Sequence, residues 1–346
     1  MKVTLHEYKL WGHTVHLPIA KSLFPSDDER AEMESHMEGC QHGFIESTFE
    51  KSKLHYRKFL PKDKPKGIAV FIHGISAHSG HSHIIDGRKL NMSLMAEEFN
   101  KRGIAVYALD MLGHGYSEGH RFFVPTWQTN RDDLDAFARL AASEHDEGLP
   151  LFLTGESYGG CLCLHLARKW EESDDSPKGF SGTALMAPAI IGDLPPAPVV
   201  FVLRYLLAPF FPKWIPFFMP NPISSDRIWR DPKVLAKNID PRYKEMGIDG
   251  SGNPFCLGTA VQLLSALEAV RSVTIPNLTS SFCVVHGTKD FGVPISGTDF
   301  LEAKAKTPKK DQFVMRQEGA YHDLLGDPVA ESTVSFMLDY MEGQMN

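Results

Sequence analysis

The sequence predicts an α/β protein: a mostly parallel, doubly wound β-sheet with an inserted cap. Two observations predict this class. Short apolar runs, typical of strands buried on both faces, alternate with segments of helical periodicity. The alternation then stops between residues 188 and 279, although this stretch is too apolar for a solvated loop. We therefore predict an N-terminal extension (1–43), a first part of the sheet domain (44–187), a cap (188–279) and a second part of the sheet domain (280–346).

The composition excludes several classes of protein. The chain has 346 residues, 42% of them hydrophobic, which is enough for a sizeable core. Its formal net charge of −7 argues against nucleic acid as a partner, because phosphate binding needs a basic field. The five cysteines are an odd number and three lie in segments predicted to be buried, which favours a reducing, cytoplasmic compartment. Residues 1–17 lack the uninterrupted apolar core of a secretory signal.

Hydrophobic periodicity and turn-forming residues predict the order of the helices and strands. A capping box at residues 26–29 predicts a short helix reaching Met37. Alternation predicts an antiparallel pair at 44–50 and 54–60. The following segments are predicted in chain order: strand 68–72, helix 88–102, strand 104–109, a helix from about Thr129, strand 151–153 with its following helix, strand 182–186, strands 282–286 and 313–315, and a closing helix around 334–341.

The strongest chemical signal is Gly155-Glu156-Ser157-Tyr158-Gly159, between an apolar strand and a helical segment. In this context Gly-x-Ser-x-Gly predicts a nucleophile elbow, a strained turn that lifts the serine hydroxyl above the sheet. Side chains at 155 and 159 would collide with the neighbouring strand and helix. The turn also places the N–H of Tyr158 at a helix N-terminus, where an oxyanion would be stabilised. The alternative is an ordinary turn with a surface serine.

A nucleophilic serine needs a base and a group that orients the base. In this class of sheet they follow later strands, in the order serine, acid, histidine. Asp290 lies just after strand 282–286, and His322 lies on the loop after strand 313–315. We therefore predict Asp290 as the acid and His322 as the base. Asp323 and Asp299 are the competing acids, but Asp323 adjoins the histidine and Asp299 falls in a predicted helix.

The loop after strand 68–72 is predicted to supply the second oxyanion donor. It begins His73-Gly74-Ile75, and the N–H of Ile75 is our candidate. The alternative is a plain strand-to-loop turn. Three histidines at 78, 81 and 83 follow; without carboxylate or cysteine companions nearby, we interpret them as a polar loop at the rim of the pocket rather than as a metal site. No cofactor and no metal are expected.

Together these motifs resemble the monoacylglycerol lipase family of serine hydrolases from about residue 44 to the C-terminus. The segments that carry the resemblance are His73-Gly74-x-x-x-His78-Ser79-Gly80, Asp110-x-x-Gly113-His114-Gly115-x-Ser117-x-Gly119, Gly155-Glu156-Ser157-x-Gly159-Gly160, His286-Gly287-Thr288-x-Asp290 and Gly319-Ala320-Tyr321-His322. Glu156, and Glu46-Ser47-Thr48-Phe49, are more similar to the plant lysophospholipase and caffeoyl shikimate esterase branch.

The resemblance implies an α/β-hydrolase fold with Ser157 as nucleophile, His322 as base, Asp290 as its orienter, and Ile75 and Tyr158 as oxyanion donors. His73 and Gly74 would border the substrate. The family pattern has an acidic residue at position 77 and a basic one at 81, both shaping the glycerol end of the pocket. This chain has Ala77 and His81 instead.

The function predicted from this resemblance is hydrolysis of a single-chain lipid ester, monoacylglycerol first. Lysophospholipase, caffeoyl shikimate-type and other phenolic esterase, and aminopeptidase activities are alternatives; a non-catalytic ligand-binding protein on the same scaffold is the rival from another class. The cap suggests an acyl-chain site and peripheral membrane contact. The alternative is that its apolar residues only pack the cap onto the sheet domain. These residues are Phe201, Leu203, Leu206, Leu207, Phe210, Phe211, Trp214, Phe217 and Phe218.

Overall fold

A central sheet of eight strands organises the molecule. The computed structural model of the chain describes residues 3–20, 31, 34–192, 195–217, 224–239 and 255–345. The strands are β1 Val3–Leu10, β2 His13–Ala20, β3 Gln41–Glu46, β4 Lys53–Phe59, β5 Gly67–Ile72, β6 Ser82–Ile85, β7 Arg88–Asn91, β8 Ile104–Leu109, β9 Leu151–Glu156, β10 Phe180–Met186, β11 Phe282–Gly287 and β12 Gln312–Gln317. The order in the central sheet is β12-β11-β10-β9-β5-β8-β4-β3.

Six of these strands, β8, β5, β9, β10, β11 and β12, run parallel to one another, as the alternating pattern predicts. In the register, Val70 of β5 pairs with Tyr107 of β8 on one side and with Leu153 of β9 on the other. At the end of the sheet, β4 pairs antiparallel with β8 and with the edge strand β3, which confirms the predicted antiparallel pair; it occupies 41–46 and 53–59. The carboxyl ends of the parallel strands meet at one edge of the sheet, where the predicted site residues lie.

Helices cover both faces of the sheet. The longer ones are α1 Met92–Lys101, α2 Trp127–Ser143, α3 Tyr158–Ser173, α4 Ala197–Phe201 with a π-helical continuation Val202–Leu207, α5 Ser225–Ile228, α6 Pro232–Asn238, α7 Leu257–Ala269 with a π-helical continuation Val270–Thr274, α8 Ser296–Lys304 and α9 Ala330–Met345. One hydrophobic core lies between the sheet and helices α2 and α3, and it includes Phe137 and Leu164. The second hydrophobic core lies between the sheet and helices α1 and α9, and it includes Phe99 and Met337.

One predicted boundary is wrong. The helix expected over 88–102 begins only at Met92, because residues 88–91 form β7, which pairs with β6. The turn between the two strands is Asp86-Gly87, and both residues have positive φ (52° and 78°). This Asp-Gly pair is the sequence signal for a two-residue hairpin, since such turns need positive φ at both central positions. The helix ends as predicted, before Gly103, whose φ is 81°.

Within the described residues, no strand lies between β10 and β11, so the region predicted as the cap contains helices and connecting segments. Its exact limits, 188–279, stay a prediction. The N-terminal hairpin β1–β2 packs on this region: Ile215 donates a backbone hydrogen bond to Pro18, and the rings of Tyr8 and Phe211 are 5.2 Å apart. Among the described residues, no helix combines the length and the apolar character needed to cross a membrane.

The predicted capping box at 26–29 lies outside the described residues, as does the glycine-rich stretch 247–252 of the predicted cap. The elements around the predicted site are all described. The helices predicted after strands 104–109 and 151–153 are α2 and α3. The helical spacing of Ala260, Leu263, Leu264 and Leu267 predicts a helix in the cap, and this helix is α7. The closing helix is α9.

Candidate active site

Ser157 lies in a strained turn between β9 and α3. Its φ is 52° and its ψ is −118°, a combination that a non-glycine residue rarely adopts. The turn is possible because its flanks are glycine. A Cβ on Gly159 would lie 2.2 Å from the Ile72 carbonyl oxygen, and a Cβ on Gly155 would lie 2.6 Å from the Gly159 carbonyl carbon. These contacts are the collisions with the strand and the helix that the sequence predicts.

The residues predicted as base and acid contact each other directly. His322 Nδ1 lies 2.7 Å from Asp290 Oδ2. The Asp290 side chain is fully buried and His322 is 6% exposed. Because the carboxylate can only accept, the Nδ1–H of His322 donates, which leaves the Nε2 lone pair of neutral His322 available to take a proton. This tautomer is the one that a general base for a serine hydroxyl requires.

Neighbouring charge decides the pKa of His322. Burial alone would lower the pKa of His322, but the charge and hydrogen bond of Asp290 and the charges of Glu156 and Asp323 raise it to about 9. Burial would raise the pKa of Asp290, but His322 and His286 hold it below its usual value. Burial and the charge of Asp323 raise the pKa of Glu156. The site therefore gathers carboxylates around one histidine.

A second histidine, His286, also holds Asp290 in place. Its Nε2 lies 3.2 Å from Asp290 Oδ2, and its Nδ1 lies 2.7 Å from Thr298 Oγ1. The other carboxylate oxygen of Asp290 accepts backbone N–H bonds from Gly292 (2.7 Å) and Val293 (2.8 Å). The contact of His286 with Asp290 is not predicted from the sequence motifs, although His286 belongs to one of them. The sequence signal for it is the position of His286 near the end of a buried strand, four residues before the acid.

The loop after β5 is tied to the loop after β8. His73 is buried, its Nδ1–H donates to the Gly74 carbonyl at 2.7 Å, and its Nε2 accepts the N–H of Met111 at 3.0 Å. Burial lowers the pKa of His73, consistent with this neutral state. A Cβ on Gly74 would come within 3.1 Å of the Ser157 Cβ, so Gly74 lets the loop approach the serine. Ile75 follows in this loop and is partly buried against the core.

The histidine-rich part of this loop contacts the α6 helix. His81 Nε2 and His83 Nε2 lie 2.9 Å and 3.2 Å from Asn238 Oδ1, so both nitrogens donate to one amide oxygen. Ala77 lies in a turn, where its N–H donates to Gly74 at 3.3 Å. Neither residue supplies a carboxylate or a permanent positive charge to the pocket.

The two competing acids are engaged elsewhere. Asp323 is buried and accepts hydrogen bonds from Trp229 Nε1 (2.7 Å) and from Asn91 Nδ2 (3.0 Å to each oxygen). Asp299 lies in α8, as predicted, and accepts from Arg316 at 2.6 Å. Asp323 therefore connects the loop of His322 to Trp229, a contact that the sequence did not predict.

Known proteins share this architecture and sequence. The family model for serine aminopeptidase, S33 (Hydrolase_4), matches residues 63–329. A monoglyceride lipase of Rattus norvegicus is 30% identical over 78% of this chain and 80% of its own length. A caffeoylshikimate esterase of Arabidopsis thaliana is 30% identical over 80% of this chain and 77% of its own length. The crystal structure of a Paleococcus ferrophilus monoacylglycerol lipase superposes with a TM-score of 0.66 at 22% identity, covering 84% of this chain and 99% of that one.

These matches and the mostly parallel eight-stranded sheet agree on the fold and on the class of enzyme. The chain belongs to the serine aminopeptidase S33 family, has the α/β-hydrolase fold, and is a carboxylic ester hydrolase, a serine hydrolase of the monoglyceride lipase type.

Proposed function

We propose that the chain hydrolyses monoacylglycerols to a free fatty acid and glycerol through an acyl-enzyme. Ser157 attacks the ester carbonyl while His322 Nε2 takes its proton, and Asp290 holds His322 in the required tautomer. The N–H groups of Ile75 and Tyr158 stabilise the oxyanion. His322 then returns the proton to the leaving glycerol oxygen, and a water activated by His322 hydrolyses the acyl-enzyme.

The observation that carries this proposal is the 2.7 Å contact between His322 Nδ1 and Asp290 Oδ2 on neighbouring strand ends. It is supported by the strained backbone of Ser157 and by the close approach of Gly74 to it. A non-catalytic binding protein would have no need of a buried acid–histidine pair beside a strained serine. This combination favours the enzyme over the non-catalytic binding protein on the same fold.

The substrate class rests on the relatives and on the apolar surface of the cap region. The relatives with the monoglyceride lipase name make monoacylglycerol the first candidate. Several apolar side chains of the cap are exposed and could adjust to an acyl chain, including Phe201, Leu206, Phe210 and Phe217. Others are used for packing, since Leu203 and Leu207 lie in a small cluster with Trp214, while Phe218 lies outside the described residues.

A panel of esters tests the proposal. We expect the highest kcat/KM for a monoacylglycerol when acyl lengths are varied and compared with lysophosphatidylcholine and a caffeoyl ester. A fluorophosphonate probe should label wild-type protein and fail to label Ser157→Ala. Labelling without monoacylglycerol turnover would contradict the substrate assignment alone. No labelling and no turnover of any ester would contradict the proposed catalytic roles.

The second candidate function is esterase activity of the caffeoyl shikimate or lysophospholipid type. Two observations favour it: the 30% identity to the caffeoylshikimate esterase of Arabidopsis thaliana, and Ala77 and His81 at positions where the monoacylglycerol pattern has an acid and a base. His81 donates to Asn238, so its ring is oriented by the cap region. A higher kcat/KM for the caffeoyl ester or for lysophosphatidylcholine than for every monoacylglycerol would favour this candidate.

We further propose peripheral membrane contact through the cap and the N-terminal hairpin. Trp11 at the tip of the hairpin is 88% exposed, and its ring lies 6.3 Å from that of Phe210, which is also exposed. Leu5, Phe201, Leu206 and Phe217 are further exposed apolar residues of the hairpin and the cap region, and we call these six residues the apolar patch. A patch of this kind indicates a surface that contacts lipid or another protein.

Vesicle sedimentation tests this contact. With phosphatidylcholine vesicles, Trp11→Ser should weaken binding by about tenfold or more, because burying a large apolar side chain contributes about 1.5–3 kcal/mol. Phe44→Ser is the matched control, since Phe44 is an exposed aromatic residue on the edge strand β3. Equal binding of the two variants would contradict a role of the hairpin tip.

A further inference from the structure

Glu34, Cys40 and His42 bring three metal-binding side chains together beside the edge strand β3. Their ligand atoms all lie within 4.8 Å of one another, and no other group of this kind occurs in the described part of the chain. Cys40 directly precedes β3 and His42 is its second residue, while Glu34 reaches the same point from the preceding segment. This cluster lies outside the residues that match the family model, and the ester chemistry does not use it.

The distances within the cluster match a tetrahedral zinc site. His42 Nε2 lies 3.3 Å from Glu34 Oε2 and 3.8 Å from Cys40 Sγ. Zinc bonds of about 2.0–2.1 Å to nitrogen or oxygen and about 2.3 Å to sulfur separate neighbouring tetrahedral ligand atoms by about 3.3–3.6 Å. Two of the three separations therefore fit a central ion with little movement. The site is at the surface, because the His42 side chain is 38% exposed.

Hydrogen bonds behind the cluster fix the tautomer of His42. Asp110 Oδ2 accepts from His55 Nδ1 at 2.8 Å, so neutral His55 presents its Nε2 as an acceptor. His42 Nδ1 lies 2.8 Å from this Nε2 and must supply the proton between them. In the neutral form of His42 the lone pair is then on Nε2, the nitrogen that faces Glu34 and Cys40.

As a result, two acceptors face each other. In this form of His42 the Nε2 lone pair points at Glu34 Oε2, a buried oxygen 3.3 Å away. Acceptors in such an arrangement need a cation or a proton between them. The backing of His42 by His55 and a buried carboxylate is the arrangement that orients zinc-bound histidines.

The charges also balance. A Cys40 thiolate and the Glu34 carboxylate neutralise a divalent ion, while neutral His42 adds no charge. The other Glu34 oxygen, Oε1, accepts from Arg57 at 2.6 Å, so one carboxylate would bridge the ion and the guanidinium. The Arg57 charge is itself balanced by Asp110, 3.4 Å away.

We propose that Glu34, Cys40 and His42 form a zinc site that joins the segment before β3 to the edge of the sheet, with water as the fourth ligand. Mixed sulfur, nitrogen and oxygen ligands in tetrahedral geometry suit zinc better than magnesium or calcium, which prefer oxygen ligands and higher coordination numbers. The ion would fix an edge strand that has a partner on one side only.

Cobalt substitution of the full chain tests the site. After removal of metal with a chelator, Co²⁺ should bind with one equivalent per chain, and should give intense tetrahedral d–d bands and a thiolate-to-cobalt charge-transfer band. One equivalent of Zn²⁺ should displace Co²⁺ and abolish both the d–d bands and the charge-transfer band. Cys40→Ser should lose the charge-transfer band, and His42→Ala should weaken Zn²⁺ binding by at least about tenfold, judged by competition with a chromophoric chelator.

Cys256→Ser is the matched control. The Cys256 thiol already lies 3.1 Å from Thr259 Oγ1, so a serine can keep that contact, and the variant should retain the full cobalt spectrum. Far-UV circular dichroism checks that each variant is folded. The proposal is overturned if metal-free wild-type protein titrated with Co²⁺ gives no charge-transfer band, or if folded Cys40→Ser gives the same band and the same Zn²⁺ affinity as wild type.

Discussion

Two buried aspartate–histidine pairs in this molecule have nearly the same geometry and opposite electrostatics. Asp290 Oδ2 lies 2.7 Å from His322 Nδ1, and Asp110 Oδ2 lies 2.8 Å from His55 Nδ1. Burial would lower the pKa of both histidines. The pKa of His322 is nevertheless raised to about 9, whereas that of His55 is lowered. A contact between an aspartate and a histidine does not by itself make a base.

The difference lies in the neighbours of each pair. Around His322, the carboxylates of Glu156 and Asp323 add to the charge of Asp290. Asp110 instead faces the buried guanidinium of Arg57 at 3.4 Å, whose positive charge opposes protonation of His55. Asp110 also accepts the N–H of Ser79 at 2.7 Å, so its carboxylate organises a loop. The same two residue types therefore carry the proposed proton transfer in one place and hold a loop in the other.

The largest expected effect is on kcat, and it distinguishes the two pairs through one serine substitution at each. Ser157→Ala should lower kcat by about a million-fold, because the proposed nucleophile is lost. Ser117→Ala is the control: the Ser117 hydroxyl accepts the N–H of His55 at 2.8 Å and donates to the Asp110 carbonyl at 2.6 Å. Ser117→Ala should reduce the free energy of unfolding by about 1–3 kcal/mol and leave kcat within a few-fold of wild type. Turnover of a chromogenic short-chain ester measures both, and comparable losses of kcat would contradict the assignment.

The next effect concerns the acid of the proposed catalytic pair. Asp290→Asn should lower kcat by about 10⁴-fold, since the amide can hold His322 in the wrong tautomer. The fold should survive, because the Asn oxygen can still accept the N–H groups of Gly292 and Val293. Steady-state kinetics with thermal denaturation as the folding check would measure both. A loss of less than tenfold in a folded variant would remove Asp290 from the mechanism.

The same substitution in the other pair should have the reverse outcome. Asp110→Asn leaves the buried Arg57 with Glu34 as its remaining charged partner, so the free energy of unfolding should fall by about 3 kcal/mol or more. The kcat per folded molecule should change far less than in Asp290→Asn. Urea denaturation and active-site titration with a fluorophosphonate would separate the two effects. An Asp110→Asn protein that is as stable as wild type but inactive would contradict the division of roles.

The sequence predicted one pair and missed the other for a physical reason. Asp290 and His322 follow strands in the order that a serine hydrolase requires, so topology alone brings them to one edge of the sheet. His55 lies on an antiparallel strand, and its side chain meets Asp110 only through the pairing of β4 with β8. Local patterns do not encode such long-range contacts. The Asp86-Gly87 hairpin is different, because its turn signal is local and present in the sequence, within the segment predicted as a helix.

The smallest effect tests whether neighbouring carboxylates set the pKa of His322. The Glu156 charge raises that pKa, so Glu156→Gln should lower it. Since the base must be neutral, the acid limb of the kcat/KM profile should move to lower pH, and the activity at pH 6 should rise relative to the alkaline plateau. Glu318→Gln is the matched control, because Glu318 is exposed on the loop that carries His322 and solvent screens its charge. If both variants kept the wild-type profile, Asp290 and Asp323 would account for the raised pKa of His322 without Glu156. If both shifted equally, the effect would be one of net charge rather than of the half-buried Glu156 carboxylate.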